Sequence, residues 1–317
     1  MVTHRAPLYL LCLIALFFIL CGCGAPAGEA GAGAAEKVKV VATIFPLADI
    51  IENIGGETVE VTLLLGPGDS PHTFEPTVEQ ARAVAEADLL FFIGEGLDDW
   101  AVKLAAAEGK PAIQVTERLE EQLLRYTPLH LAEEDHEAAH DHHPHSTRDP
   151  HVWTDPLLVY EAIAPLVAQK LSEAAPRYKD NFDQNLELYR VKLDGLHREL
   201  TELIAGFSQK KFITYHSAWG YFARRYGLEE VAAVEQYPGQ EPSAQWLIEL
   251  VRLAEEHRIK AIFAEPQLSR KAAAVIAGEI GGKVLYLDPL GGKEIDGRDS
   301  YINLMRYNAG VFQQALQ

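Results

Sequence analysis

Short apolar runs alternate with helically spaced ones along most of this chain. Residues 38–45 (Val-Lys-Val-Val-Ala-Thr-Ile-Phe) read as a first strand. Residues 59–65 read as a second, closed by Gly66-Pro67-Gly68. Residues 89–93 form a third, closed by Gly94, and residues 112–115 a fourth. Between them, residues 47–54, 78–85 and 100–107 repeat apolar side chains at the period of a helix with one buried face. This alternation predicts a parallel sheet with helices on its faces.

The pattern stops near Glu133. Residues 133–149 carry no apolar period and are expected to form an exposed loop. Helical spacing resumes over residues 156–171. Residues 178–204 then place Phe182, Leu186, Leu188, Val191, Leu193, Leu196, Leu200 and Leu203 in a segment without proline. That suits one helix, longer than the usual ~11–12 residues. Afterwards strands are expected at 212–215, 231–234, 261–264 and 284–287. Helices are expected at 243–256 and 270–280, with Ser243 and Ser269 as N-caps. The order is a strand–helix half, a long helix and a second strand–helix half. The expected fold class is therefore α/β.

The first residues follow another logic. Arg5 precedes a continuous apolar run over residues 8–20, which is shorter than the ~18 residues of a spanning helix. It ends in Leu20-Cys21-Gly22-Cys23, which resembles a bacterial lipobox. Residues 1–22 thus read as a lipoprotein signal peptide, with Cys23 as the lipidated residue. Residues 23–36 are rich in glycine and alanine and read as a flexible tether. Cys12, Cys21 and Cys23 are the only cysteines, so a metal in the body must be held by His, Asp, Glu or water. The formal charge of −18 argues against nucleic acid and suits a partner of cations.

Candidate metal chemistry is dense. His136, His140, His142, His143 and His145 are interleaved with acids, and Asp149-Pro150-His151-Val152-Trp153 follows. Imidazole binds borderline transition metals. Ligands in open parallel sheets sit beyond the carboxyl ends of strands. Four chelating residues fall there: His72 after the second strand, His151 beyond the loop after the fourth, His216 after residues 212–215, and Asp288 after residues 284–287. Singly, each also suits a turn or cap. Together, three nitrogens and a carboxylate make a zinc set. His197 and His257 lie in helical patterns and are expected to be solvated. His130 precedes the loop, and His4 lies in the signal.

Five ordered motifs carry a family resemblance. They are Gly68-Asp69-Ser70-Pro71-His72-Thr73-Phe74-Glu75-Pro76, Asp149-Pro150-His151-Val152-Trp153, Thr214-Tyr215-His216-Ser217-Ala218-Trp219-Gly220-Tyr221-Phe222, Phe263-Ala264-Glu265-Pro266-Gln267 and Leu287-Asp288-Pro289-Leu290-Gly291. The chain resembles the zinc/manganese solute-binding lipoproteins of bacterial ABC importers. The resemblance implies an N-terminal lobe over 37–176, a connecting helix over 177–206 and a C-terminal lobe over 207–317. Each lobe would hold a parallel sheet flanked by helices, with the metal in the cleft between them. It maps the ligands to His72, His151, His216 and Asp288, and leaves open whether Asp288 or a water completes the site. Glu265 is read as bracing the cleft or capping a helix.

The resemblance also implies a non-enzymatic monomer outside the cytoplasmic membrane or in the periplasm, delivering Zn²⁺ to a permease and its ATPase. His216 stands where manganese-binding relatives typically have a carboxylate, which favours Zn²⁺ over Mn²⁺. Three alternatives remain: a manganese carrier of the same family, a secreted zinc hydrolase with Glu265 as base, and an adhesin or surface metal buffer without a permease. The His/acid loop is expected to bind zinc weakly as an accessory. Deleting residues 133–145 should therefore lower the number of zinc ions bound in a calorimetric titration while sparing the tightest one.

Overall fold

The computed structural model describes residues 36–125, 148–235, 241–268 and 271–317. The expected signal peptide, all but the last residue of the expected tether, the expected lipidation site at Cys23, the histidines at 130, 136, 140, 142, 143 and 145, and the expected N-cap Ser269 lie outside them. The first sheet contains β1 (Val38–Ala42), β2 (Val59–Leu63), β3 (Leu89–Phe92) and β4 (Ala112–Gln114), in the order β2-β1-β3-β4. The second contains β5 (Lys211–His216), β6 (Glu229–Glu235), β7 (Ala261–Ala264) and β8 (Lys283–Tyr286), in the order β6-β5-β7-β8. Every pairing is parallel. The two halves thus share one topology without sharing a sequence. Each has a switch point, between β1 and β3 and between β5 and β7, where the carboxyl ends open a crevice.

Helices α1 (Phe45–Gly55), α2 (Val78–Glu86) and α3 (Trp100–Ala107) cover the first sheet. A capping box starts α2: Thr77 accepts from the Gln80 N–H, and Gln80 accepts from the Thr77 N–H. The helical spacing after residue 156 is not one uninterrupted α-helix. A short turn (Pro156–Leu158) and a π-helical turn (Val159–Ile163) lead into α4 (Ala164–Ala174). Pro165 explains the break, because it has no N–H to give the carbonyl four residues back and its ring crowds that turn.

The long helix is present as α5 (Lys179–Ala205). Its buried face is Phe182, Tyr189, Leu193, Leu196, Leu200 and Ile204. Leu188 and Val191 instead lie on the exposed face. In the second half, α6 (Gly220–Tyr226) and α7 (Ala244–Glu256) precede α8 (Lys271–Glu279) and α9 (Tyr301–Leu316). Ser243 caps α7 by accepting from the Trp246 N–H. The reading of apolar pattern did not anticipate α6 or α9. At seven residues α6 is too short for a period to emerge. In contrast, α9 carries one: Tyr301, Leu304, Met305, Ala309, Phe312 and Leu316 are buried.

The two halves share one interior. Apolar side chains of both sheets merge with α1, α4, α5 and α9 into a continuous core, while α2 and α3, and α7 and α8, cover separate outer faces. Phe312 of α9 is its aromatic hub, stacked on Phe222 with centroids 5.2 Å apart and edge-on to Phe212 and Trp219. Truncating such a side chain to alanine costs about 3–5 kcal/mol.

Polar bonds also join residues before α5 to residues after it. The Trp153 indole N–H donates to the Pro289 carbonyl at 2.8 Å, and the Tyr301 hydroxyl donates to the Trp153 carbonyl at 2.7 Å. Arg225 reaches both oxygens of buried Asp155. These bonds resist hinge opening.

Asp49 on α1 accepts from the Tyr301 N–H, one of the unsatisfied donors at the start of α9. Burial pushes its carboxyl up to about 6, against the lowering effect of that hydrogen bond. The folded state therefore holds this proton more tightly than the unfolded chain does. Its contribution to stability rises as pH falls from 7 to 5, by about 1 kcal/mol. Thermal melts should show Asp49→Asn losing that part of the pH dependence.

Candidate metal centre

The local chemistry begins in three loops. After β2, Gly66 and Asp69 close a turn: the Asp69 N–H donates to the Gly66 carbonyl and the Asp69 carboxylate accepts from the Gly66 N–H. Gly68, at φ +89°, takes the left-handed position that a Pro-Gly turn requires. This turn carries the chain to His72. His216 is the last residue of β5 and lies at the switch point of the second sheet. His151 follows Asp149-Pro150 and opens a 3-10 turn over Val152–Thr154.

These three histidines meet. One ligand nitrogen from each of His72, His151 and His216 lies within 4.8 Å of the others. Their ring centroids stand 5.4, 4.8 and 4.9 Å apart, a nearly equilateral triangle. His151 and His216 are buried, at 1% and 5% exposure, whereas His72 is half-buried. They line a cavity of about 200 Å³ together with Trp153, Glu235 and Glu265.

Two carboxylates aim the rings. Asp149 stands 2.7 Å from Nδ1 of His151 and also accepts its backbone N–H at 2.9 Å. Glu265, just beyond β7, stands 3.0 Å from Nδ1 of His216. Its other oxygen accepts from Gln267 at 2.6 Å. Paired with an ionised carboxylate, which only accepts, an imidazole carries its proton on Nδ1 and leaves Nε2 as the nitrogen for a metal. Nε2 of His216 is buried and has no hydrogen-bond partner among the described residues. Such an atom is costly unless a ligand satisfies it. Gly220 permits the packing: a Cβ there would lie 3.0 Å from the Asp149 carboxylate.

Charge in the site follows the same logic. Burial, reinforced by the charge of His216, holds His151 well below its ordinary value and keeps it neutral. Burial pushes Asp149 up to about 7. His216 is pulled down by burial, but Glu265, by charge and hydrogen bond, together with Glu230 and Asp149, leaves it above its ordinary value. Imidazoles backed by carboxylates form a site for a dication with nitrogen affinity, His151 entering it neutral and His216 giving up a proton to the incoming ion.

Asp288 is not among the grouped ligands. One of its oxygens accepts from the N–H groups of Leu290 and Gly291, both at 2.9 Å. The other accepts from Arg298 at 2.7 Å. Of the four expected ligands, the structure thus brings His72, His151 and His216 together and engages the Asp288 carboxylate with its own loop and Arg298. His197 is half-buried and lies 3.4 Å from the Tyr226 hydroxyl, so it is less solvated than its helical position suggested.

Residues 40–315 match the family described as ZnuA, zinc-uptake complex component A, periplasmic. This chain belongs to that family. It is similar to the high-affinity zinc uptake system protein ZnuA of Bacillus subtilis, at 31% identity over 96% of each chain. It is 30% identical to the zinc-binding lipoprotein AdcA of Streptococcus pneumoniae, over 98% of this chain and 60% of that longer protein. Among solved structures, a crystal structure of ZnuA superposes with a TM-score of 0.75 at 31% identity, covering 89% of this chain and all of the other. The laminin-binding protein Lmb of Streptococcus agalactiae, described as a bifunctional adhesin and metal transporter, gives a TM-score of 0.74 at 28% identity over 89% of this chain and all of the other.

Within this ZnuA-family fold, sequence reasoning passed over Asp149 as an orienting group. Its signal was its place two residues before His151. Removing either carboxylate should loosen a ring without removing a ligand. Asp149→Ala and Glu265→Ala are each expected to weaken zinc binding about 10–100-fold in a chelator competition.

Proposed function

We propose that this chain captures Zn²⁺ outside the cytoplasm and delivers it to a membrane ABC permease. The observation that carries the reading is the triangle of imidazoles with two Nδ1 positions held by carboxylates. The ligands are His72, His151 and His216. Three nitrogens favour zinc over manganese, which prefers oxygen-rich sites. The names of the relatives support the same ion, since those proteins are described as zinc-uptake and zinc-binding.

A lipid on Cys23 would hold the protein at the membrane as a monomer, next to the permease and its ATPase. No helix among the described residues is long and apolar enough to cross a membrane. The bonds between the halves favour exchange through a loop rather than a wide hinge. His72 is the least buried ligand and sits after an exposed turn, so ion entry and exit are assigned to its side.

Capture also suits the site better than zinc hydrolysis does. A hydrolytic site needs a general base beside an open coordination position. Glu265, the candidate base, already engages His216 and Gln267. Metal analysis and calorimetry on the purified protein test the proposal. One tight zinc ion per chain is expected, lost when His72, His151 and His216 are all replaced by alanine. A thousandfold excess of free zinc over Kd should raise stability by about 4 kcal/mol, seen as a higher Tm. Unchanged stoichiometric binding in the triple variant would refute the assignment.

A further inference from the structure

We propose that Arg298 sets the metal preference of the site by holding the Asp288 carboxylate away from the three imidazoles. This inference rests on the reading of the histidines as the zinc site. Asp288 is adjacent to the cavity in the chain: its neighbours Pro289 and Leu290 line the space that the histidines line. The Pro289 carbonyl is pinned by the Trp153 indole, whose ring centroid lies 5.2 Å from that of His151. A hard, anionic oxygen donor is therefore stationed one residue behind the wall of a nitrogen site.

Several contacts keep it there. Arg298 donates to one oxygen of Asp288 at 2.7 Å. The Leu290 and Gly291 N–H groups hold the other. Asn308 on α9 fixes the backbone on both sides, accepting from the Asp288 N–H at 2.8 Å and donating to its carbonyl at 2.7 Å. Arg298 is itself seated over the Tyr307 ring, with Cζ 4.8 Å from the centroid. Of these contacts, only the arginine supplies a charge that competes with a metal ion for the carboxylate. Without it, the carboxylate would keep only the two backbone N–H groups, neither of which offsets its charge.

The consequence concerns selectivity. A site of three nitrogens favours zinc, whereas adding an anionic oxygen helps a hard ion such as Mn²⁺ proportionately more. Arg298 thus acts as a specificity-determining residue that does not touch the metal.

The test is parallel competition titration of Zn²⁺ and Mn²⁺ into the metal-stripped full chain and its variants, with Tm recorded for each. Arg298→Gln should lower the ratio of zinc to manganese affinity about tenfold or more. The double variant Arg298→Gln/Asp288→Asn should return the ratio to that of the parent. A ratio within twofold of the parent in a folded Arg298→Gln protein would overturn the proposal. If that variant does not fold, Asp288→Asn decides: zinc affinity within about threefold of the parent supports it. A hundredfold loss there would put the carboxylate on the metal and overturn it. Absence of tight zinc binding in the parent would instead sink the underlying functional reading.

Discussion

An imidazole presents a lone pair to a metal in a fixed direction only when its second nitrogen is held. In this protein that holding is done by two buried carboxylates, Asp149 for His151 and Glu265 for His216. Much of the fold serves to place those carboxylates. Glu265 follows β7 beside the strand that ends in His216, so the parallel pairing of β5 with β7 sets one of the two bonds. Asp149 is fixed by its N–H to the Leu124 carbonyl, by the Tyr221 hydroxyl on its own carbonyl and by the close approach of Gly220. The ligands thus come from distant segments, but their orientation is local and rigid.

The same economy explains how the halves are joined. A binding protein that closes by a wide hinge would tolerate few bonds across its cleft. Here Trp153, Tyr221, Arg225 and Tyr301 all bridge the halves, and one apolar core runs through both. Such an interior is bistable only at its edges, where loops have fewer contacts. The turn leading to His72 is such an edge. Two buried imidazoles and one half-buried one leave the proposed site enclosed on all sides but that of His72.

Much of this was legible in the chain. Strand–helix alternation located all eight described strands, with no end off by more than three residues, and the long apolar period located α5. The strand-end rule pointed to His72, His151 and His216, and the family motifs pointed to the same three. Asp288 satisfied the same rule, but its carboxylate is engaged elsewhere for a reason no single-residue rule carries. Its partner, Arg298, lies ten residues on and reaches back to it. The orienting role of Asp149 was marked only by its place two residues before His151, because it depends on a ring nitrogen 2.7 Å away. The most conspicuous histidines, 136 to 145, fall outside the described residues; composition drew attention to metal, and the spacing of strand ends pointed to the three histidines that converge.

The coordination sphere of the loaded protein is the decisive quantity. X-ray absorption at the zinc edge, paired with a crystal structure of the loaded form, measures it directly. Three imidazole Nε2 atoms at about 2.0–2.1 Å are expected, with both Nδ1–carboxylate bonds intact and Asp288 still on Arg298. Zinc bound through a carboxylate of Asp288, or through Nδ1 of His151 or His216 with the carboxylates displaced, would contradict it.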